Sequence, residues 1–322
     1  MSLSKGINSF AGFGGETTVG TKGAIDLWHR VVDFNLKHQK DLFVSESLSP
    51  DWHVAMYYGA GRNIGSVVFE QTYTGLELWW HALMGTYTYQ VNTPVSGANT
   101  HTMIFAPATN NHPSLSFEAV RGIGGAKEIA YLGVRPTKAT LEFAPKKPMR
   151  TTFELYGMGI SRGAPAAATF PTFRPVLPAH KTTLTANGTA VSVLSGRVEI
   201  ETPRAEDREH YGDSVFKDGV IVGRPAGTFQ LEVEFGDDSG ADTDALLALY
   251  EAGTKLSGFV LTHQGDIVTG STKYQFGITV GGAYIEDATP SSVGNKVTGA
   301  TIVARVTDSV AISFINATTQ VT

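Results

Sequence analysis

Hydrophobic positions in residues 227–253 change period once. Phe229, Leu231, Val233 and Phe235 alternate with Gln230, Glu232 and Glu234. A period of two predicts a strand buried on one face, with an acidic polar face opposite. Gly236 and the Asp237-Asp238-Ser239-Gly240 run end that strand, because these residues favour turns over a ladder. Leu246, Leu249 and Tyr250 then fall on one helical stripe. Asp242 or Thr243 is suited to cap that helix, and Gly253 to take the left-handed position past its end. The unit is a strand followed by a short covering helix, with carboxylates on the strand face that the helix leaves bare.

The same order of elements is expected twice. In residues 43–160, strands are predicted near 52–58, 66–72, 87–91, 101–105, 114–120, 138–143 and 150–156, with a helix over 76–84 that ends at Gly85. In residues 191–322, a strand over 191–201 sets Val198 and Ile200 opposite Glu199 and Glu201. The acidic strand and its helix (243–252) follow, then strands near 259–263, 273–280, 298–306 and 309–315. Aligning the units matches Phe117 with Phe276 and Ala139 with Ala300, and pairs the two strands that end each unit; this reads as an internal duplication. Residues 1–42 are expected as an N-terminal arm that either packs on a neighbouring subunit or stays a flexible terminus. Residues 161–190, rich in Ala and carrying Pro171, Pro175 and Pro178, are expected as an extended linker.

Composition narrows the chemistry. The 322 residues contain no cysteine, which removes disulfides, thiolate metal sites and cysteine nucleophiles together. No signal-like or membrane-length apolar run is present, so the expectation is a soluble protein synthesised in the cytosol. Residues 1–160 carry 13 Lys+Arg against 12 Asp+Glu, and the remainder 12 against 18. An acidic second half argues against sequence-independent nucleic-acid binding, which needs cations against phosphates. None of the nine histidines sits at metal-ligand spacing, and Tyr211-Gly-Asp-Ser-Val-Phe216 lacks the second glycine of a nucleophile elbow. Gly122-Ile-Gly-Gly-Ala-Lys127 and Gly59-Ala-Gly-Arg-Asn-Ile-Gly65 lack the Gly-Lys-Ser/Thr ending of a phosphate loop. Asp237, Asp238, Asp242 and Asp244 lack the spacing of a calcium loop and are read as turn and cap residues. The expectation is no catalytic site, no metal and no cofactor.

Two stretches carry a resemblance. The order strand, long loop, strand, short helix, hairpin, strands, with Gly227 to Phe235 leading into Asp244-Ala-Leu-Leu-Ala-Leu-Tyr-Glu-Ala-Gly253, resembles the tail tube proteins of long-tailed phages. The opening Phe10-Ala-Gly-Phe-Gly-Gly-Glu-Thr-Thr-Val-Gly-Thr21 is similar to the Gly-x-Glu-x-x-Tyr-Gly-Thr start of that family, with Val19 in place of the aromatic. The resemblance implies a mainly β chain: two tandem β-sandwich or split-barrel domains, each with one short flanking helix. It further implies a structural virion protein whose rings stack into the conduit for DNA ejection. Its partners would be itself, a tape measure protein, a tail terminator and tail-tip proteins, with no membrane and no specific DNA contact. On this reading Glu199, Glu201, Gln230, Glu232, Glu234 and Glu70 face the lumen. A trimeric ring with pseudo-sixfold symmetry is favoured over a hexamer, because single-domain relatives need six copies. Two alternatives stay open: a tail-tip or tail-completion protein of the same fold, and a β-rich virion decoration or adhesion protein.

Overall fold

The computed structural model describes residues 10–44, 56–91, 97–105, 112–120, 128–164, 166–167, 177, 181–204, 225–234, 241–293 and 296–318. Its first half contains β1 (Phe10–Gly15), β2 (Leu27–Phe34), β3 (Lys37–Val44), β4 (Met56–Glu70), α1 (Glu77–Met84), β5 (Gly85–Val91), β6 (Asn99–Phe105), β7 (Leu115–Val120), β8 (Glu128–Phe143), β9 (Arg150–Gly157) and β10 (Gly159–Gly163). The second half adds β11 (Thr182–Ala186), β12 (Thr189–Ala190), β13 (Val193–Glu201), β14 (Ala226–Glu234), α2 (Ala241–Glu251), β15 (Phe259–Thr269), β16 (Thr272–Val280), β17 (Ala283–Val293), β18 (Lys296–Val306) and β19 (Val310–Asn316). The described residues are mainly β with two helices, as the alternating patterns predict.

Two sheets hold these strands. In the first, β1, β2, β4, β9, β8 and β7 pair in a closed circuit. From this barrel the sheet continues from β8 through β13, β14 and β18 to β17. The second sheet runs β12-β11-β15-β16-β19-β6-β5. Strand pairing therefore joins the two halves of the chain twice, through β8–β13 and through β19–β6.

The element at the centre is α1. Its residues Leu78, Trp79, Trp80, Ala82, Leu83 and Met84 are all buried. A helix apolar all round needs cover on every side. Trp79 packs against Phe13, Phe69 and Phe117 at 5.4, 5.5 and 5.8 Å and stacks on Phe153 at 5.4 Å. Trp80 reaches from Phe153 to Phe276 on the second sheet. One indole buries roughly 150–250 Å², a gross gain of about 4–6 kcal/mol at about 25 cal/mol per Å². The covering helix read in residues 243–252 is α2. Leu246 is buried, while Tyr250 on the same stripe remains 39% exposed. α2 begins at Ala241, one or two residues before the expected caps. Gly253 takes the expected left-handed conformation at φ 59°, with the Thr254 N–H bonded to the Leu249 carbonyl.

Residues 1–42 are expected as an arm, but their described part supplies β1 and β2 to the barrel, and β3 pairs with β4 beside it. Ala11, Phe13 and Trp28 are buried there, so this segment has a core after all. The Glu16 of the opening motif explains its spacing. Its carboxylate accepts the Gly20 N–H, the Ser114 and Ser116 hydroxyls and the Gly133 N–H at 2.7–2.9 Å. One side chain thus ties the turn after β1 to β7 and β8. Gly20 has φ 78°, and a Cβ on Gly14 would collide with the Ala24 carbonyl. In the expected linker, Leu177 is buried and exchanges backbone hydrogen bonds with Gln71 and Met149. Of the stretches 202–226 and 50–64, expected as projecting loops, residues 205–224 and 50–55 lie outside the described residues, whereas residues 56–64 do not project but form the start of β4 and pair with β3.

The strand correspondences read from sequence need correction. Phe117 lies on β7 of the first sheet and Phe276 on β16 of the second. β8 and β9 form a hairpin, whereas β18 and β19 lie in different sheets. The order that recurs is positional. β2 and β3 lie end to end along β4, giving (β2, β3)-β4-β9-β8, and the second half gives β13-β14-β18-β17. Each set has a helix and a hairpin between its second and third strands in chain order.

Candidate functional site

The six residues expected on the lumen sit on strands of one continuous sheet, and the register sets Glu70, Glu199, Glu201, Gln230 and Glu232 on one face. Paired positions in an antiparallel ladder share a face. One row crosses seven strands as Glu70, Arg150, Glu142, Arg197, Gln230, Val303 and Asp287. The next row reads Val68, Thr152, Thr140, Glu199, Thr228, Arg305 and Tyr284. A third contains Ser66, Glu154, Lys138 and Glu201. Glu232 and Glu234 pair with Thr301 and Gly299 on the same strand ladder. Val198, Ile200, Leu231 and Val233 point the other way and are buried, so their neighbours are forced outward.

The face is a mosaic of both signs, a departure from the acidic surface expected. Lys138 and Arg197 both pair with Glu199, the former at 3.1 Å, and Arg197 also approaches Glu142 at 3.8 Å. Arg305 bonds Glu286 at 2.6 Å. Glu201, Gln230 and Glu232 are exposed, and Glu232 accepts the Ser195 hydroxyl. Burial alone would raise the Glu199 carboxyl. The hydrogen bonds and charges of Lys138 and Arg197 outweigh it and hold the group below its usual value. Arg197 stands on β13 itself, between the acidic positions, while Lys138, Arg150 and Arg305 come from β8, β9 and β18, strands that reading β13 and β14 alone does not include. Their sequence signal is the polar alternation of Lys138, Thr140 and Glu142 and of Arg150, Thr152 and Glu154. An open groove of about 540 Å³ at one end of the face is lined by Glu142, Lys147, Arg150, Arg197, Gln230 and Glu232.

Histidines serve the interior. His29 bonds Thr72, His38 bonds Asn63, His101 bonds Tyr87 and Asn316, His112 bonds the Ala82 carbonyl and His263 bonds Tyr73. Glu77 accepts the Asn316 amide and the Gly75 N–H, tying α1 to the end of β19. Among the described residues, no group of three His, Asp or Glu gathers in a way that could hold a metal. No described helix is long and apolar enough to cross a membrane.

Burial pushes His112 down to about 4, with the Arg204 and Arg135 guanidiniums adding to the effect, and burial also lowers His81 and His101. An unfolded histidine takes its proton as pH falls through about 6.5, whereas folded His112 resists until about 4. Stability is therefore expected to fall across that window, by up to about 3 kcal/mol from His112 at about 1.4 kcal/mol per unit. The Glu199 contribution has a lower window, being lost only as pH falls below its usual value of 4.5. Thermal melts from pH 7 to 4.5 should show the loss, and His112→Gln should flatten it. An unchanged slope in that variant would refute the assignment.

Among the described residues, polar groups spread across an open sheet face, and most histidines bond within the fold. The chain belongs to the phage tail tube protein family, whose sequence pattern matches residues 6–315. No curated protein matches the chain. Membership makes it a structural component of the virion tail that self-assembles into a tube.

Proposed function

We propose that the chain forms the tail tube of a long-tailed, siphovirus-type phage, and that the charged sheet face lines the bore through which DNA is ejected. The carrying observation is the uninterrupted antiparallel run β3-β4-β9-β8-β13-β14-β18-β17. It has one charged face and ends in two strands that need a partner. A sheet edge left unpaired is a template for another chain.

The recurrence of strand order supports an internally duplicated chain, with a first unit that takes in β2 and β3 ahead of the expected 43–160 and a second over 191–322, in which each copy does the work of two single-domain subunits. Three chains then close a pseudo-sixfold ring. At about 4.8 Å between strands, three sheets of this run make a wall about 115 Å round and about 37 Å across before tilt widens it. Two would make a channel of about sixteen strands, the size of a porin. A hexamer with one unit outside the wall would have to break the β8–β13 ladder. The tape measure protein is the proposed occupant of the bore before DNA, and terminator and tail-tip proteins the proposed partners at the two ends. Synthesis in the host cytoplasm precedes assembly.

A helical reconstruction of tubes assembled from the purified protein tests this reading. Threefold rings are expected. Sixfold rings, or a protein that decorates particles without forming tubes, would contradict it.

A further inference from the structure

The two halves of the long sheet meet at β8 and β13, and that internal joint offers a template for the joint between copies. Register fixes the equivalences. Glu70 precedes the first residue of α1, Glu77, by seven positions, and Glu234 precedes the first residue of α2, Ala241, by seven. With these two aligned, the β4–β9 pairs Val68–Thr152 and Ile64–Tyr156 match the β14–β18 pairs Glu232–Thr301 and Thr228–Arg305. Lys37, which pairs with Ile64, then stands where Glu199 pairs with Thr228. Asp287, which pairs with Val303, stands where Lys138 pairs with Glu154. Thr289 likewise stands where Thr140 does.

At the internal joint Lys138 and Glu199 form an ion pair at 3.1 Å. Their equivalents, Asp287 and Lys37, are both exposed and carry the same two signs exchanged. β1 covers β2 only over Leu27–Arg30, so the outer edge from Val31 through β3 has no strand beside it among the described residues. The outer edge of β17 is taken at Ala283, which exchanges two backbone hydrogen bonds with Leu256, and from Tyr284 onward it has no strand beside it among the described residues. The other internal pair, Arg197–Glu142, maps to Asn35 and Ser291 and has no ionic counterpart.

We propose that a second copy of this chain docks its β17 edge antiparallel to the β2–β3 edge, with Asp287 of one copy paired to Lys37 of the other. The ladder supplies adhesion, while the ion pair selects register and rejects slipped alignments. This rests on the ring reading above.

The test uses full-length protein carrying Lys37→Asp, Asp287→Lys or both, with assembly followed by sedimentation and negative-stain microscopy at low salt. Both side chains are exposed, so melting temperatures should stay close to wild type. Each single reversal is expected to raise the concentration needed for assembly roughly tenfold, because a like-charge contact then recurs at every joint. The double variant should assemble as wild type does. Carbodiimide treatment of wild-type rings should also join Lys37 to Asp287 between chains, read by mass spectrometry of the dimer band. Single variants that assemble normally, or a double variant as impaired as either single, overturn the pairing even if wild type forms rings. Wild type that forms no rings would instead sink the tube reading itself, and this inference with it.

Discussion

Trp79→Ala is expected to destabilise the fold by about 3–5 kcal/mol, the range for removing a large aromatic from a packed core. The indole touches rings from β1, β4, β7 and β9 at once, so no single neighbour can move in to fill the space. A loss of this size is a large fraction of the about 5–15 kcal/mol that holds a typical domain together. Trp79→Phe separates packing from hydrogen bonding, because the buried Trp79 Nε1 has no acceptor among the described residues. That variant leaves no polar group stranded and should lose less than half as much. Urea unfolding of the two variants checks both expectations. A Trp79→Ala loss below about 1 kcal/mol would show that α1 is not the hub of the core.

The second large effect concerns passage of DNA. Replacing Glu201, Gln230 and Glu232 by lysine should leave folding nearly unchanged, since all three side chains are exposed and such changes usually matter little. Glu199 is best left alone, because a lysine there would face Lys138 and Arg197. On the proposed bore surface these changes move each protomer's face five charges toward positive, two for each glutamate and one for Gln230, and put three new cations where DNA would pass. Duplex DNA presents one charge per about 1.7 Å, so a basic wall would hold it at many points. Particles carrying the variant should eject DNA slowly at low salt. Each doubling of salt should weaken the grip of three added contacts by about sixfold. Ejection at the wild-type rate at low salt would count against a lumenal position for this face.

Much of this was legible in the sequence, and the failures have identifiable causes. Period-two runs such as Phe229 to Val233 announced their strands because one face is buried and the other is not. Gly85 and Gly253 marked both helix ends because each adopts positive φ. β1 escaped notice because its glycines, needed for close approach to Trp28 and Ala24, read as a loop. β17 escaped because Asp287, Pro290 and two serines are turn-like residues that an edge strand tolerates. α2 carries the amphipathic pattern of a covering helix, whereas the unbroken apolar run Leu78-Trp79-Trp80 is the sign of a buried hub. The acidic stripe was half of the truth. Alternation gives the face of a single strand, but which cations stand beside a glutamate depends on pairing between strands far apart in the chain, as with Lys138 and Glu199.

The most direct test of the account is the direction in which this face points in the assembled tube. A reconstruction resolving individual strands should show β4, β9, β8, β13, β14 and β18 around the bore, with Glu201, Gln230 and Glu232 projecting into it. The second sheet, β15-β16-β19-β6 among its strands, should lie outside. A tube whose bore is lined by the second sheet, with Glu201 and Glu232 on the outer surface, would contradict the account.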